Sequence, residues 1–396
     1  TIIALALPFA AWLPKSPVPL INTANLLTIG SLLSIGLLTL RGKAHPVVPT
    51  SLNVPVILLL LVMGLSAIFG PYVYGAGVPS LGHLRTLWGV LSGFLVFFVV
   101  THLVQDRDSL WRLVGWVLAA SAVGLLGPLR EAFERGFGAR TGGGVGDINR
   151  MAALLAMAAV FAFVMIPAYR GIRKIGTTVA SLLLAVGLVL PNSRGAYVGF
   201  LLAALPQALR TSVLGTVMLV AFLGSAIFWA PDFVRDRFLY TVEAATEGEE
   251  SLDDKTGGRL SVWEAQIQVL TDHPLHLIAG VGYGNLQDAV REHLGRRKAG
   301  HNLYLETAVE MGLIGLGFLL WMLWRAWKLG SVLIARGGRS LILGRAYHGM
   351  LACLLILNLF GQRFYDFSLA GFFGLLSGCV ALEERFTRPA EKEHTS

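Results

Sequence analysis

One feature constrains this chain above all others: apolar runs about as long as a lipid bilayer is thick recur along its whole length. A helical span needs roughly 20 mostly apolar residues. Such runs lie near 2–13, 18–40, 54–75, 81–104, 109–128, 151–168, 174–191, 195–209, 212–230, 302–324, 346–362 and 367–382. In hydrocarbon every backbone group must be satisfied within the protein, so the runs are helices or barrel strands, and the alternating pattern of a barrel is absent. With 55% apolar and 14% charged residues over 396 positions, the chain is too apolar for a soluble protein of its size. The expected fold is all-α, a polytopic membrane protein with about 12 transmembrane helices and one large periplasmic loop containing short helices. The first run reads as a span, not as a cleaved signal. The expected units are transmembrane helices over 1–230, a loop over 231–300 carrying part of the active site, further spans over 301–385, and a cytoplasmic tail over 386–396.

Charge sets the expected orientation. Arg41, Lys43, Arg107, Arg170, Arg173, Lys174, Arg210, Arg325, Lys328, Arg336, Arg339, Arg345, Arg385 and Arg388 fall on alternate connections with few acids among them, a positive-inside pattern. The net charge of +8 then reflects topology and contact with anionic membrane lipids, not nucleic acid. Cys353 and Cys379 both fall within spans and read as packing residues.

Span parity places Arg194, Arg259 and His301 on the same outer face. Arg194 lies in PNSRG, where two apolar runs meet with almost no loop to hold a charge in water. Such an arginine is costly unless it snorkels, pairs or faces a wet cavity, which makes it a functional candidate. Arg259 precedes a short amphipathic helix marked by Ser261, Val262, Gln266, Val269 and Leu270 and ended by Pro274; its guanidinium and the free N–H groups of the helix start could both face an anion. GVGYGN beyond it is a turn that lets backbone approach something closely as the chain returns to the membrane. His301 and Asn302 stand where a basic loop becomes a long apolar run. Taken alone, each of these residues also fits a plain interfacial role.

Together they carry a resemblance. Ser193-Arg194-Gly195 at a span junction, Gly258-Arg259 with Trp263, His273-Pro274-Leu275, the glycines from Gly280 to Gly284, and His301-Asn302 with Gly312 and Gly315 resemble the O-antigen ligase and polymerase superfamily over roughly residues 146–320. GDINRMAALLA, with Asn149 near its start, resembles the family's polar entry to an earlier span. The resemblance implies a membrane glycosyltransferase of the O-antigen ligase type. It would move a glycan from a polyprenyl (undecaprenyl) diphosphate to a sugar hydroxyl of lipid A-core on the periplasmic face of a bacterial inner membrane. It implies an inverting, metal-independent reaction with no cofactor. The polymerase branch would instead extend a second lipid-linked glycan.

Residue chemistry fits that implication. A sugar hydroxyl is a weak nucleophile that a histidine base can activate. Neighbouring arginines disfavour the imidazolium and keep the histidine able to accept a proton. Guanidinium groups suit a departing diphosphate. The expected roles are His301 as general base, Arg194, Arg259 and Arg85 as diphosphate or donor ligands, and Asn302, Glu306 and Asn149 as supporting groups. Arg140 and Arg150 flank the Gly-rich TGGGVGD turn and read as residues of the cavity mouth or as solvated; Arg363 and Asp366 are expected to pair with each other. His273 and His276 lack zinc-like spacing. A lipid-glycan transporter is the alternative from another class, and the expected repeat symmetry of such proteins is not visible.

Overall fold

The computed structural model describes residues 23–42, 48–73, 81–145, 147–211, 258–364 and 366–388, with a few isolated positions between 216 and 253. The expected span 2–13, and all but three positions of the expected span 212–230, lie outside the described residues. Among those described there is no strand. The chain runs through α1 (Thr23–Leu40), α2 (Asn53–Val73), α3 (Leu81–Leu103), α4 (Arg107–Gly124), α5 (Leu126–Arg135), α6 (Ile148–Met165), α7 (Gly171–Gly187) and α8 (Arg194–Thr211). It continues through α9 (Arg259–Thr271), α10 (Pro274–Ala279), α11 (Leu286–Leu294), α12 (Leu303–Arg336), α13 (Gly338–Asn358) and α14 (Phe367–Phe386). Seven segments among the described residues are long and apolar enough to cross a membrane: Asn53–Gly70, Thr86–Leu103, Arg107–Arg135, Ile148–Ala168, Leu303–Arg336, Gly338–Asn358 and Phe367–Phe386. The molecule is an all-α, multi-pass membrane protein.

Helix α6 is apolar on every face, and nearly every residue from Met151 to Met165 is buried. A helix of that kind belongs at the centre of a bundle, and α7, α8 and α13 pack around it. Helix α14 is buried from Ser368 to Glu383 and lies along α3. Ala370, Gly374 and Gly378 recur every fourth residue on the contact, where a Cβ on Gly374 would meet Gly93 O at 3.1 Å and one on Gly378 would meet Val100 Cγ1 at 2.8 Å. Small residues at this spacing let two backbones close together when lipid supplies no hydrophobic drive.

The connections sort into two ends. At one, Arg107 pairs with the fully buried Glu383 at 2.6 Å and Ser340 Oγ donates to the same carboxylate at 2.6 Å. There too Arg336 meets Glu384, Arg345 donates to Arg210 O, and Arg339 stacks on Trp111 at 4.0 Å. This basic end unites the connections expected to share the inner side. One boundary differs from expectation: the span near 302–324 continues as helix to Arg336, and α13 begins at Gly338, so the expected loop 325–345 is mostly helical. Long cationic side chains permit this, since they carry their charges to the interface without unwinding the backbone. Gly337 and Gly338, at φ 76° and 59°, make the turn.

Candidate active site

At the opposite end, α9, α10 and α11 form a cap on α12 with its own core of Ala265, Val269, Val281, Leu286, Val290, Ala308 and Val309. The helix read between Ser261 and Leu270 is present and stops at Thr271, before Pro274. This cap positions His301. Gly300 O accepts hydrogen bonds from Trp263 Nε1 at 3.2 Å and Gln266 Nε2 at 3.0 Å, both on α9. A Cβ at Gly300 would meet Glu306 Oε2 at 2.8 Å and Leu286 Cδ2 at 2.9 Å, side-chain ends that would have to shift to admit it. His301 itself has φ 56°, left-handed backbone that costs a non-glycine residue about 1–2 kcal/mol. Asn302 then caps α12, its Oδ1 accepting from Tyr304 N at 3.0 Å and Leu305 N at 3.2 Å. The backbone that carries the imidazole is thus fixed between a clamped carbonyl and a helix cap.

Burial lowers the His301 pKa from its ordinary 6.5, and the charges of Arg259, Arg363 and Lys298 lower it further, with Asp147 opposing. Arg363 is the residue that sequence reasoning missed. Its expected partner, Asp366, is bonded elsewhere: Asp366 caps α14 by accepting from Ser368 N at 2.8 Å and pairs with Arg150 on α6 at 3.2 Å. Arg363, 6% exposed, faces the His301 side instead, and its Nε has no hydrogen-bond partner among the described residues. Its pKa falls to about 10 through burial, with Asp147 opposing and Arg259 and Arg150 adding to the fall; it remains a cation at neutral pH.

Arg194 opens α8 and is held close to α6. Asn149 Oδ1 accepts from Ser193 Oγ at 3.2 Å and from Arg140 at 3.3 Å, while Arg140 Nε donates to Pro191 O at 3.2 Å. Asn192, at φ 45°, makes the sharp turn between α7 and α8. Asn149 therefore pins the Arg194 turn, and two residues earlier Asp147 faces His301 and Arg363, so one helix start bridges the groups. Arg85 lies in the first turn of α3; its side chain, like that of His83, is outside the described residues. Its neighbour Thr86 lines a cavity of about 270 Å³ shared with Arg150, Tyr283, Glu306, Glu310 and Gln362. Of the expected site residues, Glu306 is on this wall; His301, Arg194 and Arg259 are not.

The start of α9 departs from expectation. Its N–H groups were to face a bound anion, but the chain supplies one: Asp253 Oδ1 accepts from Leu260 N at 2.7 Å and Asp253 Oδ2 from Ser261 Oγ at 2.6 Å. These bonds hold the Asp253 carboxyl below its usual range despite burial, the largest influence, which opposes them. A carboxylate at a helix N-terminus satisfies the free donors and the dipole together, so the N–H groups at the start of α9 are already occupied.

The glycine-rich turn does approach something closely, and the partner is α12 itself. Gly312 has φ 66° and breaks the helix. The carbonyls so released are met from outside: Val281 N donates to Val309 O at 2.8 Å, Gly282 N to Glu310 O at 3.0 Å, and Ser66 Oγ of α2 to Glu310 O at 2.7 Å. Gly284 N donates to Glu310 Oε1 at 2.9 Å. A Cβ on Gly312 would collide with Ile278 O, which explains both the glycine and the break.

Fold and site together define a multi-pass membrane protein with a polar pocket under a cap of short helices. Residues 179–320, from α7 through the first half of α12, match the Wzy_C family model, described as O-antigen ligase. That family consists of membrane glycosyltransferase-like enzymes. The match takes in Arg194, Arg259, His301, Asn302 and Glu306. No curated protein matches the chain.

Proposed function

We propose that the protein is an O-antigen ligase, transferring a glycan from polyprenyl diphosphate to a sugar hydroxyl of lipid A-core at the periplasmic face of a bacterial inner membrane. The carrying observation is His301, fixed in left-handed backbone by the Gly300 clamp and kept neutral by burial and by Arg259 and Arg363. A neutral imidazole can take the proton of the attacking hydroxyl. The anomeric carbon–oxygen bond to the diphosphate breaks as the new glycosidic bond forms from the opposite face, inverting the centre. Arg194, Arg259 and Arg85 hold the departing diphosphate, whose charge rises in the transition state. Asn149 positions the Arg194 turn, Asn302 fixes the helix start behind His301, and Glu306 orients a sugar from the cavity wall.

The test is incubation of the purified protein with polyprenyl diphosphate-linked glycan, with and without lipid A-core. Transfer to the core supports the ligase; elongation of the donor glycan alone identifies a polymerase. His301→Ala and Arg194→Ala are expected to abolish transfer in folded protein, and full activity in either would remove the mechanism.

A further inference from the structure

A second cavity lies at the basic end, away from His301, between α4 and α7. It measures about 690 Å³, and its walls include Trp111, Arg112, Trp116, Tyr169, Arg173 and Arg339. Two of these residues carry an unusual burden. Trp111 and Tyr169 are 7% and 8% exposed, yet neither Trp111 Nε1 nor Tyr169 Oη has a hydrogen-bond partner among the described residues. Buried donors without partners are rare in folded proteins and call for a cause. The two rings meet edge to face at 6.5 Å, and Arg339 lies over the Trp111 ring at 4.0 Å. The charges of Arg339 and Arg173 reach the Tyr169 hydroxyl. Asp108 is also on the wall; three guanidinium groups against one carboxylate leave the groove cationic.

The groove opens along the helices. Gly115, Ala119, Gly176 and Ala180 keep its floor clear of side chains. On α7, Ile175, Val179, Leu182, Leu183 and Val186 form an exposed apolar face about a third of a turn round the helix from Arg173, Gly176 and Ala180. Cationic donors beside a helix with an exposed apolar face match a lipid in both its parts: phosphate at the head, acyl chains along the helix.

We propose that this groove binds a phospholipid of net negative charge, with its phosphate on Arg173, Arg339, Trp111 and Tyr169 and its chains along α7. The test uses the full chain in detergent and native mass spectrometry. Phosphatidylglycerol, phosphatidylcholine with the same acyl chains, and inorganic phosphate are titrated separately. Phosphatidylglycerol is expected to bind roughly tenfold or more tightly than phosphatidylcholine, with inorganic phosphate weaker still. The Arg173→Gln/Arg339→Gln double variant should lose roughly tenfold in phosphatidylglycerol affinity. Tyr169→Phe, which deletes one hydroxyl and leaves the packing intact, should lose a few-fold. Equal binding of the two lipids, or affinity unchanged in Tyr169→Phe and in the folded double variant, overturns the proposal. Inorganic phosphate binding as tightly as phosphatidylglycerol would show a free-anion site and overturn it as well.

Discussion

The Gly300 clamp can be removed without touching His301. In Trp263→Phe/Gln266→Leu, Gly300 O loses both donors, each worth about 1 kcal/mol net. The left-handed backbone of His301 costs about 1–2 kcal/mol, so the clamp and the strain are of similar size and the double variant should let φ relax to negative values. A deficit of about 2 kcal/mol corresponds to roughly a 30-fold fall in the population holding the imidazole in place. The expected outcome is a 10- to 30-fold loss of kcat in the double variant and a few-fold loss in each single, with KM nearly constant. The assay is glycan transfer in detergent alongside a thermal melt. Wild-type turnover in a folded double variant would refute the clamp; so would a loss of activity that merely follows the unfolded fraction.

Further outcomes follow from the same geometry. Transfer by the native protein should fall on its acid limb with an apparent pKa below 6.5, and Arg363→Gln should move that limb upward, as a pH profile of kcat/KM will show. Because the folded-state pKa of His301 lies below its unfolded value, the unfolded chain binds more protons in between, and His301 should cost stability as pH falls below about 6.5. Gly312→Ala places a Cβ into the Ile278 carbonyl at positive φ and should cost several kcal/mol, read as loss of the folded peak in size exclusion. Arg107→Ala strips the buried Glu383 of its ion pair and should lower thermal stability by roughly 2–3 kcal/mol while sparing transfer per folded molecule. Since both native cysteines are buried, Gln287→Cys should label from the periplasm and Lys328→Cys only after the membrane is opened; the reverse pattern sinks the orientation.

Periodicity and length make the helices legible, because lipid allows a long apolar run few other structures. The same patterns place Arg194, Arg259 and His301 toward one end, since crossing parity is a counting property. Arg363 escaped because QRFYDF puts an arginine and an aspartate three residues apart, and local spacing suggests a pair. The fold resolves it otherwise, as the cap of α14 turns Asp366 toward Arg150. Asp253 at the start of α9 escaped for a related reason: an acidic stretch reads as solvated until a distant helix end needs its carboxylate. The break at Gly312 was invisible because a lone glycine in a hydrophobic run is ordinary. Its significance depends on amides some 30 residues upstream, at Val281 and Gly282.

That break ties the cap and a long apolar helix into one unit of construction. Exchanging the cap between relatives must carry residues 278–284 together with their seat on α2 and α12. A graft cut closer would strand two carbonyls at the membrane's edge, and selection can therefore diversify the cap freely only above that seam.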